Sequence, residues 1–303
     1  MSKYDLQRVD LSIFPEDKDY AQIPGKIFLA DNFDASSSES FKRGRNVNKT
    51  VQISMAVFFL CFAGELNVEV NHQKIKAIAG QVVIALPGSF FRYENHSPNA
   101  RLIFIAVAPD FVDYTKDVKL GVEIGEALTL NPCNAVPPLE IDEFLSMYKI
   151  LKRKLYDGAY MFKEEVARNF LNTWECNLFN NFLAQKSSGR SEHPVTRREE
   201  IFRQFIEEVK AHYLTERSVT FYAQKLCVTP KYLSSVIHEV SGRYATDFIT
   251  SFVVNECKAM LHTEGISVKE VCIKMNFPNQ SFFAKYFKKH TGMTPKEYKQ
   301  HTI

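Results

Sequence analysis

Two short stretches near the C-terminus carry polar side chains at spacings suited to reading the edges of base pairs. Between Thr229 and Gly242 the outward residues are Lys231, Ser234 and Ser235; between Asn279 and Gly292 they are Gln280, Ser281, Ala284 and Lys285. Lysine donates to guanine, glutamine pairs with adenine, serine serves either role, and an alanine methyl meets the methyl of thymine. His238, Arg243, Lys288, Lys289 and Lys296 lie close by in the chain and are candidates for phosphate contacts. Ser234 and Ser235 read equally well as neutral surface, and a lysine cluster alone as a solvated face. The elements that carry them decide between these readings.

Those elements are written twice. Leu233, Ile237 and Gly242 return about fifty residues later as Phe283, Phe287 and Gly292, so one helical unit is repeated, at 218–242 and 267–292. In the first copy Thr229 is an N-cap and Pro230 suits the first helical position, where a missing amide hydrogen costs nothing. Leu233, Val236, Ile237 and Val240 then form one apolar stripe at helical period, and Gly242 ends it. In the second copy Ser267 and Glu270 form a capping box, Asn279 caps the next helix, and Phe283, Tyr286 and Phe287 make the buried stripe. Thr294, Pro295 and Glu297 announce a closing helix that carries Tyr298. Helix, tight turn, helix is the shape that lays a second helix in the major groove. A connecting helix from Asp247 to His262 spans about 25 Å at the usual rise. With the two bodies added, the recognition helices fall about 34 Å apart, one turn of DNA.

Thr229, Pro230, Lys231, Tyr232 and Leu233, then Ile237, Gly242, Val271, Cys272, Asn276, Phe277, Phe283, Phe287, Lys288, Lys289, Gly292, Thr294, Pro295 and Tyr298 together resemble the double helix-turn-helix of AraC/XylS-type transcriptional regulators. The match covers about the last hundred residues. It implies double-stranded DNA as a partner, RNA polymerase as a possible further one, and a small effector bound in an N-terminal barrel. Three positions depart from the pattern: Asn276 stands for a turn glycine, Cys272 for a small alanine, and Val253 for an arginine of the connecting helix. Asparagine tolerates positive φ. The valine removes a phosphate contact or an internal ion pair.

Charge agrees modestly. The chain carries +3 overall, but from Thr196 onward sixteen Lys and Arg face eleven Asp and Glu, leaving the rest slightly negative. Lys285, Lys288, Lys289, Lys296 and Lys299 concentrate the excess at the end.

Residues 1–136 read as a β domain, an antiparallel barrel or sandwich. Val51 to Phe62, Leu66 to Val70, Gln81 to Leu86 and Leu102 to Val107 are β-branched and aromatic runs separated by Gly, Pro and Asn signals. Gly64-Glu65-Leu66, Gly80, Pro87-Gly88 and Asn95 resemble, more weakly, a cupin-like antiparallel barrel. The metal set of a cupin enzyme is missing: His72 and His96 stand alone, and Phe91 occupies the place of a later histidine. No cofactor is expected. Arg43, Arg92 and Tyr93 are the side chains available to an effector, although each also reads as ordinary surface.

Residues 137–186 change to helical period. Ile141, Phe144, Leu145, Tyr148, Leu151 and Leu155 form one stripe. Val166, Phe170, Trp174, Leu178 and Phe182 form a second, widened by Leu171 and Phe179, after a break at Asp157-Gly158. Such stripes commonly pack on their own domain. The aromatic second stripe and the resemblance favour a homodimer, with Phe170, Trp174, Leu178 and Phe182 as its contacts. Residues 187–196 are a polar linker, and 197–303 the DNA-binding domain.

The expected class is therefore α+β multidomain: a cupin-like antiparallel β-barrel with a helical dimerisation segment, then an all-α double helix-turn-helix. The six cysteines are scattered singly, which suits a reducing cytoplasm and gives no zinc spacing. The longest apolar run, Met55 to Ala63, is too short to span a bilayer, and no signal-peptide pattern is read at the N-terminus. Not an enzyme but a regulator is the leading function. A cupin-type enzyme with an accessory helical domain and an effector-independent DNA-binding protein are the alternatives.

Overall fold

The computed structural model describes residues 7–14, 20–33, 49–109, 111, 118–187, 196–262 and 265–301. The chain divides into two compact units, one holding the strands and the helices that cover them, the other holding residues 118–123 and the helices from Arg197 onward.

The first unit contains β1 (Arg8–Val9), β2 (Ala21–Ile23), β3 (Ile27–Asp31), β4 (Val51–Ile53), β5 (Ala56–Ala63), β6 (Glu65–Val70), β7 (Gln73–Ile78), β8 (Gln81–Ala85), β9 (Phe90–His96), β10 (Arg101–Val107) and β11 (Cys133–Ala135). Of α1 (Val118–Leu130) it holds the part from Ile124 onward, and α2 (Pro138–Tyr156) and α3 (Lys163–Ser187) follow. One sheet has the order β1-β4-β9-β6-β7 and the other β11-β8-β5-β10-β3-β2. The ladders among the described residues end at β1 and β7 in one sheet and at β11 and β2 in the other, so two stacked sheets stand where a closed barrel was expected. The β1–β4 pair is parallel, another departure from a wholly antiparallel array.

Gly64 makes the step from β5 in one sheet to β6 in the other at φ +71, and a Cβ there would meet backbone atoms of Ala100 at 2.7 and 2.8 Å. Only glycine fits such an approach. Along β6 the alternation is regular: Leu66, Val68 and Val70 are buried between the sheets, and Asn67 and Glu69 point away. Strand β10 instead reads as an unbroken apolar run because both its faces are covered. Leu102 and Ala106 join the core between the sheets; Ile103, Ile105 and Val107 join a second core outside it.

Helices α2 and α3 supply that second core. Phe144, Tyr148, Leu151 and Leu155 from α2, with Phe170, Leu171 and Trp174 from α3, pack against Ile27, Leu29, Leu60, Val82 and Ile84. Phe144 lies 4.3 Å from Trp174, centroid to centroid. Beneath them the buried Asp31 accepts the Tyr148 hydroxyl at 2.6 Å and pairs with the Lys152 ammonium, tying α2 to β3.

The second unit comprises α4 (Arg197–His212), α5 (Val219–Lys225), α6 (Pro230–Ser241), α7 (Ala245–His262), α8 (Val268–Lys274), α9 (Gln280–Thr291) and α10 (Pro295–His301). A capping box of Thr196 and Glu199 opens α4, and Ile201, Phe202, Phe205, Ile206 and Val209 bury its apolar stripe. Helix α7 is shared: it touches α4 and α6 on one side of the repeat and α8, α9 and α10 on the other.

Candidate nucleic-acid interface

Both copies of the repeat close the same turn. In the first, Leu226 N–H donates to Tyr222 O, Cys227 N–H to Gln224 O and Val228 N–H to Ala223 O, at 3.0 to 3.1 Å. In the second, Met275 N–H donates to Val271 O, Asn276 N–H to Ile273 O and Phe277 N–H to Cys272 O, at 2.9 to 3.0 Å. The residue at the bend has positive φ in each, Cys227 at 54° and Asn276 at 50°. Asn276 thus takes the backbone expected of it, whereas Cys227, which sequence reasoning passed over, does so without a side chain suited to that region. Pro278 makes the second turn one residue longer.

The caps follow the sequence closely. Thr229 accepts from Tyr232 N–H at 3.2 Å and Asn279 from Phe282 N–H at 2.8 Å. Gly242 and Gly292 end α6 and α9 in the left-handed conformation, at φ 69° and 80°. Leu233, Val236 and Ile237 bury one face of α6; Phe283 and Phe287 bury the matching face of α9. The opposite faces are open. Lys231, Ser235, Gln280, Ser281 and Lys285 are exposed, with Ser234 and Ala284 half-buried beside them. Lys288, Lys289 and Lys296 are exposed as well.

A family model described as a helix-turn-helix domain matches residues 222–301. The HTH-type transcriptional regulator YtdP of Bacillus subtilis is 25% identical over 158 residues, 52% of this chain and 20% of that protein. The regulator YijO of Escherichia coli is 29% identical over 101 residues, 33% of this chain and 35% of that protein. The chain thus spans about a fifth and about a third of the length of these two relatives. Residues 222–301 form an AraC-type helix-turn-helix domain. Among solved structures, the C-terminal domain of AraT from Geobacillus stearothermophilus is 22% identical, over 35% of this chain and 88% of that one, with a TM-score of 0.33. ToxT from Vibrio cholerae is 11% identical over 91% of this chain and 97% of its own, with a TM-score of 0.32.

Within and beside the AraC-type domain, several candidates hold other positions than sequence suggested. Arg243 is turned inward: its guanidinium lies 4.3 Å over the Phe248 ring and donates to Ser251 Oγ at 3.0 Å, and burial lowers its pKa. It braces the start of α7. His238 is half-buried and stacks on Tyr244 at 4.8 Å. Val253 is fully buried, so the position that lacks an arginine is a core position of α7. Ser235 donates to Glu239, which also pairs with Arg198 at 3.1 Å. The first recognition helix therefore carries a carboxylate where the second carries Lys289.

Two exposed aromatics were missed by the sequence reading. Tyr232 and Phe282 occupy equivalent places in α6 and α9, one residue before the buried Leu233 and Phe283, and are 43% and 50% exposed. Their signal was the repeat itself, since an exposed aromatic recurs at the same place in both copies.

In the first unit, Phe170 and Trp174 are buried on their own sheet and Leu178 packs at the edge of that cluster. The Phe182 side chain, Arg43 and most of the linker lie outside the described residues. Arg92 pairs with Glu69 and Glu94, beside Asn67 on the polar side of its sheet, whereas Tyr93 is buried between the sheets. His72 sits in the β6–β7 turn at φ 67°. Among the described residues, no group of three or more His, Cys, Asp or Glu side chains is placed to hold a metal ion. No described helix is long and apolar enough to cross a membrane.

Proposed function

We propose that this chain is a sequence-specific DNA-binding transcriptional regulator that reads two successive major grooves with α6 and α9. The observation that carries this reading is the doubled turn: two helix pairs with the same hydrogen bonds, the same caps and the same buried face, each leaving polar side chains on the free face. The second pair is the main anchor, because Gln280, Lys285, Lys288 and Lys289 are all exposed there. The first offers Lys231 and two serines beside a carboxylate. Selection from a random duplex library followed by binding across single-base variants tests it. Two base-specific clusters about one helical turn apart are expected, and sequence-independent binding would overturn the reading.

The β unit is proposed as the regulatory, cupin-like part. Phe104 faces the core between the sheets, 4.8 Å from Phe59, yet it and Phe91 remain half-buried on β10 and β9. The partial exposure of Phe91 and Phe104 supports a small apolar effector lying against these rings and Phe59. An effector at a hundred times its dissociation constant would add about 2.7 kcal/mol of stability, visible as a thermal shift against a metabolite panel. A homodimer, contact with RNA polymerase and a cytoplasmic location belong to the same proposal. Because Phe170 and Trp174 are taken up by their own sheet, a dimer contact would use the remaining side of α3, where Cys176 is exposed and Phe179 half-buried. Sedimentation equilibrium of the full chain tests that contact.

A further inference from the structure

The two helix-turn-helix units are joined through more than the shared helix α7. Arg217 stands immediately before Ser218, the N-cap of α5, and so belongs to the first unit. Its guanidinium reaches into the turn of the second, donating to Met275 O and, at 3.3 Å, to Asn276 O. The plane of the same guanidinium lies 4.1 Å over the Phe277 ring. Asn276 returns the contact, its side-chain amide lying 3.4 Å from Thr215 O. Phe277 in turn rests against Phe282, Phe283 and Tyr286 of α9, at 6.3, 4.8 and 5.3 Å. One side chain thus connects the first unit's cap to the second unit's recognition helix.

We infer that Arg217 is a positioning residue that sets the second recognition helix relative to the first, so that α6 and α9 meet DNA as one rigid pair. The inference rests on the DNA-reading function proposed above. Stability alone does not account for the residue. The partners of the Arg217 guanidinium among the described residues are two carbonyls and a ring, none of them a carboxylate, and its Nε is buried without an acceptor. Desolvation lowers its pKa from the usual arginine value. A half-buried cation held by carbonyls and one ring is a weak source of folding energy, and an apolar side chain of similar bulk commonly serves as well or better. What the apolar side chain cannot supply is direction. A planar fork that donates to two successive carbonyls while stacking on the next ring holds both the distance and the angle of the turn. Rotation of α9 about α7 would have to break all three contacts together.

The test uses the full chain and two readouts. Nitroxide labels on the exposed Cys227 and on an introduced cysteine, Met293→Cys, with Cys133→Ser and Cys176→Ser, report the distance between the units in the DNA-free protein. The parent should give one narrow distribution, Arg217→Leu one about twice as wide, and Arg217→Lys an intermediate width, because lysine keeps the charge but loses the fork. Equal widths in all three would overturn the inference. On DNA recovered by selection, one extra base pair between the two subsites should weaken the parent about tenfold and Arg217→Leu less than about threefold, since only a rigid pair discriminates spacing. A Leu variant that keeps the parent's spacing penalty also overturns it, even if its melting temperature falls. If the parent selects no sequence at all, the proposed function fails, while the distance widths still decide the role of Arg217.

Discussion

Lys285 and Lys288 lie one helical turn apart on α9, and both are exposed. They are expected to do different work. In the proposed complex Lys285, in the middle of α9, faces base edges, so Lys285→Ala should cost about 1–3 kcal/mol on the preferred sequence and relax one base position. In the same proposed complex Lys288, further along, meets a phosphate; Lys288→Ala should weaken all sequences alike and lower the salt slope by about one. Titrations over a single-base panel at several salt concentrations check this, and identical profiles for the two variants would sink it. Residue identity was legible in the sequence here because exposure followed from helical period. It was not legible at Arg243, whose ring and hydroxyl partners lie five and eight residues on, across the bend into α7. Glu175 on α3 is a further case: burial raises its pKa to about 7. The folded unit then holds that proton more tightly than the unfolded chain, so the associated stability is complete below about pH 4.5 and is lost as pH rises through about 7. Urea midpoints at pH 5 and pH 8 should converge in Glu175→Gln relative to the parent. A parallel pH dependence in both proteins would contradict the assignment.

The turn is the element on which the interface depends, and the two copies solve it unequally. Cys227 at φ 54° bears a Cβ in a region that costs a non-glycine residue about 1 kcal/mol or more. Cys227→Gly is therefore expected to stabilise the second unit by about 0.5–1 kcal/mol, read as a higher denaturant midpoint at unchanged slope. The capping boxes and glycine stops were legible because they are local: each involves residues within four positions along the chain. The amphipathic helices α2 and α3 were legible as helices too, but not in the use of their faces. A stripe of Phe170, Trp174 and Leu178 looks the same whether it meets a second copy or its own sheet. Trp174→Ala should accordingly destabilise the first unit by about 3–5 kcal/mol. A variant that altered sedimentation while leaving thermal stability unchanged would return Trp174 to the role of a dimer contact.

At the scale of the molecule, the chain is two compact units with separate cores. A fragment beginning at Val195 should melt cooperatively on its own and keep the base preference of the full chain. Its association constant should fall with salt by about 0.9 log units per log unit for each phosphate neutralised, as in the full chain. Loss of a cooperative melt in the fragment would show that the helical unit depends on the rest. The boundary near residues 187–196 was legible as a composition shift, and so was the change from period two to period 3.6 after Leu139. The closure of the β unit was not. The strand runs around residues 51–107 suit a barrel and a two-sheet stack equally, because inward and outward alternation is the same in both.

By itself the sequence determined the repeated helix pair, its caps, its stops and the side chains left outside, because these depend on contacts within one or two helical turns. It also determined that the last hundred residues resemble a double DNA reader. Only the tertiary structure decided which partners these side chains take, and it turned Arg243, Phe170 and Trp174 inward. It alone brought Arg217 to a turn some sixty residues away. That contact joins residues with no periodic relation, and a guanidinium between two distant loops leaves no trace in local pattern. The physical reason is general to the molecule: caps and turns are satisfied by their neighbours in sequence, whereas the angle between two helix pairs is set by whatever the folded chain places between them.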